Sequence, residues 1–375
     1  MSQVQQPPAT HQALVLTSTS APLAVQTRPT PQARPGSAVV RVLAANIVSY
    51  ACSVYNGDRA YLFPMPFVPG ASAIGRVAAL GTDATSLTVG QLVHIDGTVR
   101  ARDDPDNNVF LLGIHSGNTP GSTKLMDGEW RDGTYAEYAR VPLENCAPLD
   151  EPRLLNELGY QLAELTYISA LLVPYGGIHA IALQPGETIL IAPATGNFGG
   201  AAVRVALAFG ARVIAAGRNT TALARLACLS TDRLVTVQIT NDPAADIAAF
   251  SGTRFGAPDA FFDIAPPEAA ASTHVRSGVL ALRIGGRAVL MGGVPGDVAL
   301  PYGAIMHRNL VVRGQFMYGR QEVRALIKMV EGGVLRIGEE SGVRVAGTFG
   351  LGDWQEAFDV AEKGMGEGTY AVFGP

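Results

Sequence analysis

From about residue 188 onward the chain alternates short apolar runs of strand character with helix-like runs, and this alternation constrains the fold more than any other feature. The order is strand "TILIAPA", helix "GGAAVRVALAFG", strand "RVIAAG", helix "TALARLACL" and strand "RLVTVQI". A helix around 243–251, strand "AFFDIA", a helix around 267–283 and strand "RAVLMGG" continue it. Near-continuous apolar strands separated by helices are what a parallel sheet covered on both faces requires. The pattern predicts a doubly wound α/β unit.

The turn after the first of these strands reads Ala194-Thr195-Gly196-Asn197-Phe198-Gly199. It has the spacing of a dinucleotide fingerprint with Ala in place of the first Gly, and it lies between a strand and a helix, where that motif has meaning. Gly196 lets the backbone approach a pyrophosphate, and Gly199 lets the helix pack close to the sheet. The helix N-terminus then faces the phosphate charge. About 20 residues on, where an NAD site usually carries an acid for the ribose 2′-hydroxyl, the chain reads Gly217-Arg218-Asn219. A guanidinium there suits a 2′-phosphate, so NADP(H) is the expected cofactor. Arg204 and Arg225, on the flanking helices, read as surface charges.

The first half is built differently. "QALVLT", "SAVVRVLAANI", "AIGRVAALG" and "QLVHIDG" are short strand-like runs separated by turn residues. Residues 101–133 are polar and turn-rich, and read as a long loop or flap. "YQLAELTYISALLVPYGGIHAIAL" reads as helical segments interrupted by its Pro and Gly residues. The net charge of −4 gives no basic footprint for nucleic acid. Three scattered cysteines, Cys52, Cys146 and Cys228, make neither a disulfide framework nor a four-cysteine zinc site. With no signal-peptide pattern and no apolar run of about 20 residues, a cytoplasmic protein without a membrane span is expected.

Several separate blocks, in order, resemble the medium-chain dehydrogenase/reductase superfamily along nearly the whole chain. They are "FVPGASAIGRVAALG", "DGTYAEYARVP", the Gly-rich turn and "LRIGGRAVLMGG". The resemblance implies a GroES-like β-rich catalytic domain over 1–165, a Rossmann NADP(H)-binding domain over 166–315, and a return segment over 316–375 that completes the first. It also implies a homodimer.

The sequence departs from the zinc-dependent members. They carry a Cys after the first strands and a Gly-His-Glu after the Pro-Gly turn; here Ser49 stands in "NIVSYA", and Gly70-Ala71-Ser72 follows Pro69. The expected metal content is therefore none, and the resemblance narrows to the zinc-independent quinone and enoyl reductases. In those relatives an Asn at the position of Asn46 belongs to an Asn-Pro-x-Asp motif, of which this chain keeps only the Asn; Asn46 is grouped with the cofactor residues. Tyr61 lies one residue from the place of a proton-donating Tyr, and Tyr50 lies in the segment that faces the nicotinamide. His179 lies in a segment lining the cofactor cleft. A phenol or an imidazole could donate to a substrate oxygen. Gly292 and Gly293, at the end of a strand, would admit the nicotinamide, and Asp263 reads as a strand terminator nearby.

The resulting expectation is an NADPH-dependent, zinc-independent reductase acting on the activated C=C of an enone, enoyl or quinone-like substrate that is small and largely apolar. Two alternatives stay open: a zinc-free carbonyl reductase or alcohol dehydrogenase acting on a secondary-metabolite ketone, and a nucleotide-binding scaffold with a non-redox role.

Overall fold

The computed structural model describes residues 6–229, 232–363, 366 and 368–375. Two compact units emerge. Unit 1 takes residues 1–169, 337–365 and 369–375, and unit 2 takes 170–336 with 366–368. Residues 316–336, expected to open the return segment, therefore cluster with unit 2.

The first segment of unit 1 contributes nine strands: β1 (Thr10–Val15), β2 (Ala24–Pro29), β3 (Ser37–Ile47), β4 (Ala73–Leu80), β5 (Leu92–Ile95), β6 (Thr98–Arg100), β7 (Val109–Leu111), β8 (Tyr138–Pro142) and β9 (Cys146–Pro148). Helices α1 (Ala51–Tyr55), α2 (Pro120–Asp127) and α3 (Leu162–Leu165) connect them. Unit 2 carries strands β10 (Thr188–Ala192), β11 (Arg212–Gly217), β12 (Leu234–Gln238), β13 (Ala260–Asp263), β14 (Arg287–Leu290) and β15 (Val311–Gly314). Its helices follow α4 (Ile168–Ala180), which starts at the boundary: α5 (Asn197–Ala208), α6 (Thr220–Ala227), α7 (Pro243–Ser251), α8 (His274–Ala281), α9 (Tyr302–His307) and α10 (Arg320–Glu331). The chain then returns to unit 1 with β16 (Arg344–Phe349), α11 (Trp354–Lys363) and β17 (Thr369–Phe373).

The main sheet of unit 1 has seven strands, in the order β16-β17-β3-β4-β5-β9 with β8 also paired to β3. The long strand β3 is the hub, because β4, β8 and β17 all pair antiparallel with it. Its core gathers Phe67, Phe110, Tyr135, Phe358 and Phe373. The 101–133 segment is no loose flap. It holds β7 and α2, and it buries Phe110, Leu112, Met126 and Trp130 in that core. Thr119 caps α2 by accepting from the Ser122 N–H at 3.1 Å, with Pro120 at the first helical position.

The sheet of unit 2 has six parallel strands in the order β12-β11-β10-β13-β14-β15. All five residues of β10 and all four of β13 are buried, as central strands covered on both faces must be. The order reverses between β10 and β13, and the crevice beyond the carboxyl ends of those two strands is where a doubly wound sheet takes its ligand. Helix α4 corrects the reading of an interrupted segment, since it runs unbroken through Pro174 and both glycines. A Cβ at Gly176 would stand 2.4 Å from the Met317 carbonyl oxygen, and one at Gly177 would stand 2.3 Å from Met291 Sδ. The glycines admit close neighbours rather than ending the helix.

Candidate functional site

The residues after β10 build an anion cradle from backbone. The Ala194 N–H donates to the Ala216 carbonyl at 2.7 Å, which ties the turn to the end of β11. Helix α5 then begins after Gly196, with no side chain capping it, so its first N–H groups point out of the protein fabric. A Cβ at Gly196 would meet nothing within 4 Å, which leaves open space over the turn. At Gly199 a Cβ would lie 2.2 Å from the Pro193 carbonyl oxygen, so only glycine lets α5 start this close to the strand. The buried Asn197 Oδ1 has no hydrogen-bond partner among the described residues. Uncapped amides, open space and an unsatisfied polar atom together fit the diphosphate of a dinucleotide. Ala194, Thr195 and Phe198 complete the turn.

At the end of β11, Gly217 is buried against Thr195, whose Cγ2 would lie 2.6 Å from an added Cβ. The next residue, Arg218, is exposed and has no hydrogen-bond or ion-pair partner among the described residues. Asn219 has a defined local role: its Oδ1 accepts from the Ala222 N–H at 3.0 Å and caps α6. Arg225 is exposed as expected, whereas Arg204 is 7% exposed and not the surface charge the sequence suggested.

The carboxyl end of β13 holds a pair that the sequence reading missed. Asp263 Oδ1 lies 2.9 Å from His274 Nε2, and both side chains are nearly fully buried. His274 Nδ1 lies 2.9 Å from Ser272 Oγ, and the Ala265 N–H donates to Asp263 Oδ1 at 3.1 Å. Gly292 packs on this acid, for its Cβ would fall 2.7 Å from Asp263 Oδ2. The Gly293 N–H continues the strand pairing to the Ala265 carbonyl at 2.8 Å. The close approach visible at Gly292 is therefore to Asp263.

Unit 1 carries the phenols. Tyr50, half-buried, precedes α1, and Tyr61 follows the turn after that helix. Burial pushes the Tyr50 phenol up to about 12, while the Arg59 charge opposes the rise. Arg59 lies over the Tyr50 ring, 4.3 Å from its centroid, and its Nε–H donates to Ser53 Oγ at 3.0 Å. Ser53 in turn donates to the Tyr50 carbonyl at 2.9 Å. Tyr61 meets His115 edge to face, with centroids 4.9 Å apart. The Gly117 N–H donates to His115 Nδ1 at 2.8 Å, so the neutral ring carries its proton on Nε2. Burial lowers the His115 pKa and favours that neutral form. Between the two phenols, Ala60 holds a left-handed φ of 51°, a conformation that costs a non-glycine residue about 1 kcal/mol.

The other candidates have partners of their own. Asn46 lies on β3 with its backbone occupied: its N–H donates to the Ser72 carbonyl, and its carbonyl accepts from the Tyr135 hydroxyl at 3.2 Å. His179 is a side chain of unit 2 that is 59% exposed and paired with Glu322 at 2.9 Å. No group of three or more His, Cys, Asp or Glu among the described residues could hold a metal ion. At the stretch where zinc-dependent relatives place ligands, Ser72 Oγ accepts from the Gly97 N–H at 3.2 Å. These residues do not fit a catalytic zinc, which needs about three such donors.

Comparison with known proteins agrees with this architecture. Residues 34–151 match the alcohol dehydrogenase GroES-like domain, and residues 198–332 match the zinc-binding dehydrogenase family. The chain is 26% identical over 343 residues to an L-threonine 3-dehydrogenase of Ruegeria pomeroyi, spanning 90% of this chain and 92% of that one. An alcohol dehydrogenase of E. coli CFT073, solved with NADH, superposes with a TM-score of 0.78 at 19% identity, covering 98% of this chain and all of the other. A dehydrogenase of Sinorhizobium meliloti 1021 bound to NADP gives a TM-score of 0.76 at 20% identity with the same coverage.

Proposed function

Because the chain belongs to the medium-chain dehydrogenase/reductase superfamily and is an NAD(P)-dependent oxidoreductase, we propose that it uses NADPH to reduce an activated carbon–carbon double bond without zinc. The acceptor is an enone, enoyl or quinone-like compound. The observation that carries this reading is the half-buried Tyr50 phenol, pushed up to about 12, in a chain whose donors do not fit zinc.

The cofactor, when bound, supplies the hydride. Residues 194–199 hold its diphosphate at the start of α5, and Gly217 and Asn219 frame the adenosine end. Arg218, with no partner among the described residues, takes the 2′-phosphate. Gly292 and Gly293 shape the wall toward the nicotinamide. Tyr50 keeps its proton throughout the working pH range, so it donates a hydrogen bond to the substrate carbonyl as negative charge grows there. Tyr61 is the second phenol available to return a proton to the product carbon. His179 has no part in this scheme, because its contact with Glu322 at an exposed position accounts for it.

One observation favours a second reading. Relatives that match about nine-tenths of the chain are named L-threonine 3-dehydrogenases, so a zinc-free ketone or alcohol reaction at the same phenols is the alternative. The test follows NADPH and NADH consumption with an enone and with its saturated ketone, in the parent and in Arg218→Ala. Oxidation with the enone alone, and a loss of NADPH affinity on the order of tenfold or more with NADH unchanged, is the expected result. Turnover of the saturated ketone selects the alternative. Equal weakening of both cofactors refutes the role of Arg218, and tight binding without turnover leaves a nucleotide-binding scaffold.

The substrate is a small, largely apolar molecule, a reading supported by the aromatic side chains Tyr50, Tyr61 and Phe63, which pack partly buried against the unit 1 core. No described helix is long and apolar enough to cross a membrane, and the three cysteines are free, which supports a cytosolic location. A homodimer through the open edge of the unit 2 sheet is part of the same proposal, supported by the exposure of Val311, Met306 and Tyr302.

A further inference from the structure

We propose that Arg59 is a specificity residue that binds a carboxylate on the substrate. The inference rests on the reading of Tyr50 as a substrate-facing phenol and adds what else the substrate must carry.

The guanidinium is held in place but not neutralised. Its Nε–H is committed to Ser53 Oγ at 3.0 Å and its plane lies on the Tyr50 ring, 4.3 Å from the centroid. The backbone fixes the same residue again, because the Arg59 N–H donates to the Ser53 carbonyl at 2.8 Å. Neither terminal nitrogen has a hydrogen-bond or ion-pair partner among the described residues. Several other arginines of unit 1 are matched with acids: Arg76 with Glu151, Arg102 with Glu144, Arg140 with Glu129 and Arg28 with Asp132. The neighbouring Asp58 accepts instead from Asn56 Nδ2 at 2.7 Å.

A half-buried cation without a counter-ion, held by a serine and an aromatic face, leaves its two terminal NH2 groups as a preset fork. That fork matches the two oxygens of a carboxylate. The surface under the guanidinium is the Tyr50 ring, so the complementary ligand is a conjugated, flat acid with its carboxylate at the Arg59 end. The substrate class becomes an α,β-unsaturated carbonyl compound that bears a carboxylate, rather than one that is apolar throughout. Arg59 also bears on the reaction through its neighbour, because its positive charge favours proton release from Tyr50.

The probe is equilibrium binding to the NADP+-loaded protein, measured by calorimetry with cinnamate and with its neutral isostere cinnamide. Cinnamate is expected to bind on the order of tenfold tighter or more in the parent. Arg59→Gln should bring the two ligands level by weakening cinnamate alone. Arg59→Lys should restore part of the preference, and its melting temperature reports whether the loop is intact. Equal affinities in the parent overturn the proposal, and so does an Arg59→Gln variant that weakens both ligands alike. If Arg59→Gln does not fold, the parent is titrated at rising salt, where loss of the cinnamate preference supports the charge pairing and a salt-independent preference overturns it. Because no turnover is read, a carboxylate preference without enone reduction would defeat the proposed reaction and leave this site standing.

Discussion

His94 lies in β5 at 0% exposure, and neither ring nitrogen has a hydrogen-bond partner among the described residues. Burial alone lowers its pKa to about 4. The folded protein therefore refuses a proton that the unfolded chain accepts near 6.5. The associated stability is complete above about pH 6.5 and is lost as pH falls toward 4, with a total on the order of 3 kcal/mol. Urea unfolding of the parent should show that acid loss, and His94→Leu, which is close in volume and has no nitrogens to protonate, should flatten it. An unchanged pH profile in the variant would mean that other groups carry the acid sensitivity. The same scale explains what was legible at the candidate site. The turn 194–199 and Arg218 are local, so their spacing along the chain announced them. Tyr50 and Tyr61 are named only through the family resemblance, and the contact of Tyr61 with His115 is not local, because the Ser116 N–H bonding the Leu62 carbonyl at 2.7 Å brings the two segments together. No pattern along the chain signals that closure.

At the scale of elements, α4 shows how a residue type can mislead. Proline and paired glycines ordinarily break a helix, and so its span read as interrupted. The helix persists because Gly176 and Gly177 allow close approach by Met317, Met291 and Phe262. This reverses an ordinary expectation for substitution. Alanine in a helix interior normally stabilises by about 1 kcal/mol relative to glycine. Gly176→Ala should instead destabilise by about 1–3 kcal/mol, since its Cβ would meet a backbone oxygen that cannot turn aside. Denaturant unfolding measures the sign directly, and a stabilised variant would show that the 315–318 segment yields easily. The 101–133 segment misled in the opposite direction. Its one strand is three residues long and its one helix eight, too short for periodicity, and its order comes from buried apolar side chains such as Phe110, Leu112, Ile114, Met126 and Trp130. The parallel-sheet elements were legible because each is long enough to repeat its pattern and each is buried on both faces.

At the scale of the whole molecule, β15 leaves one edge of the unit 2 sheet unpaired among the described residues. Val311 is 54% exposed there, and Met306 and Tyr302, on the preceding helix, are 54% and 80% exposed. An uncovered edge with apolar side chains is a liability in solution, and pairing with a second copy removes it. Sedimentation should show a dimer for the parent and a shift toward monomer for Val311→Lys. A monomeric parent would refute the pairing.

The sheet of unit 1 has a further consequence, in the order of synthesis on the ribosome. Its hub strand β3 ends at Ile47, while β17, which pairs with it, starts only at Thr369. Translation separates the two by roughly 15–60 s at ordinary elongation rates. Unit 2 is nearly contiguous and emerges whole within that interval. During that time β3 can recruit β4 and β8 but waits with residues 45–47 unpaired toward β17, so the part of the chain that carries the phenols is the last to close.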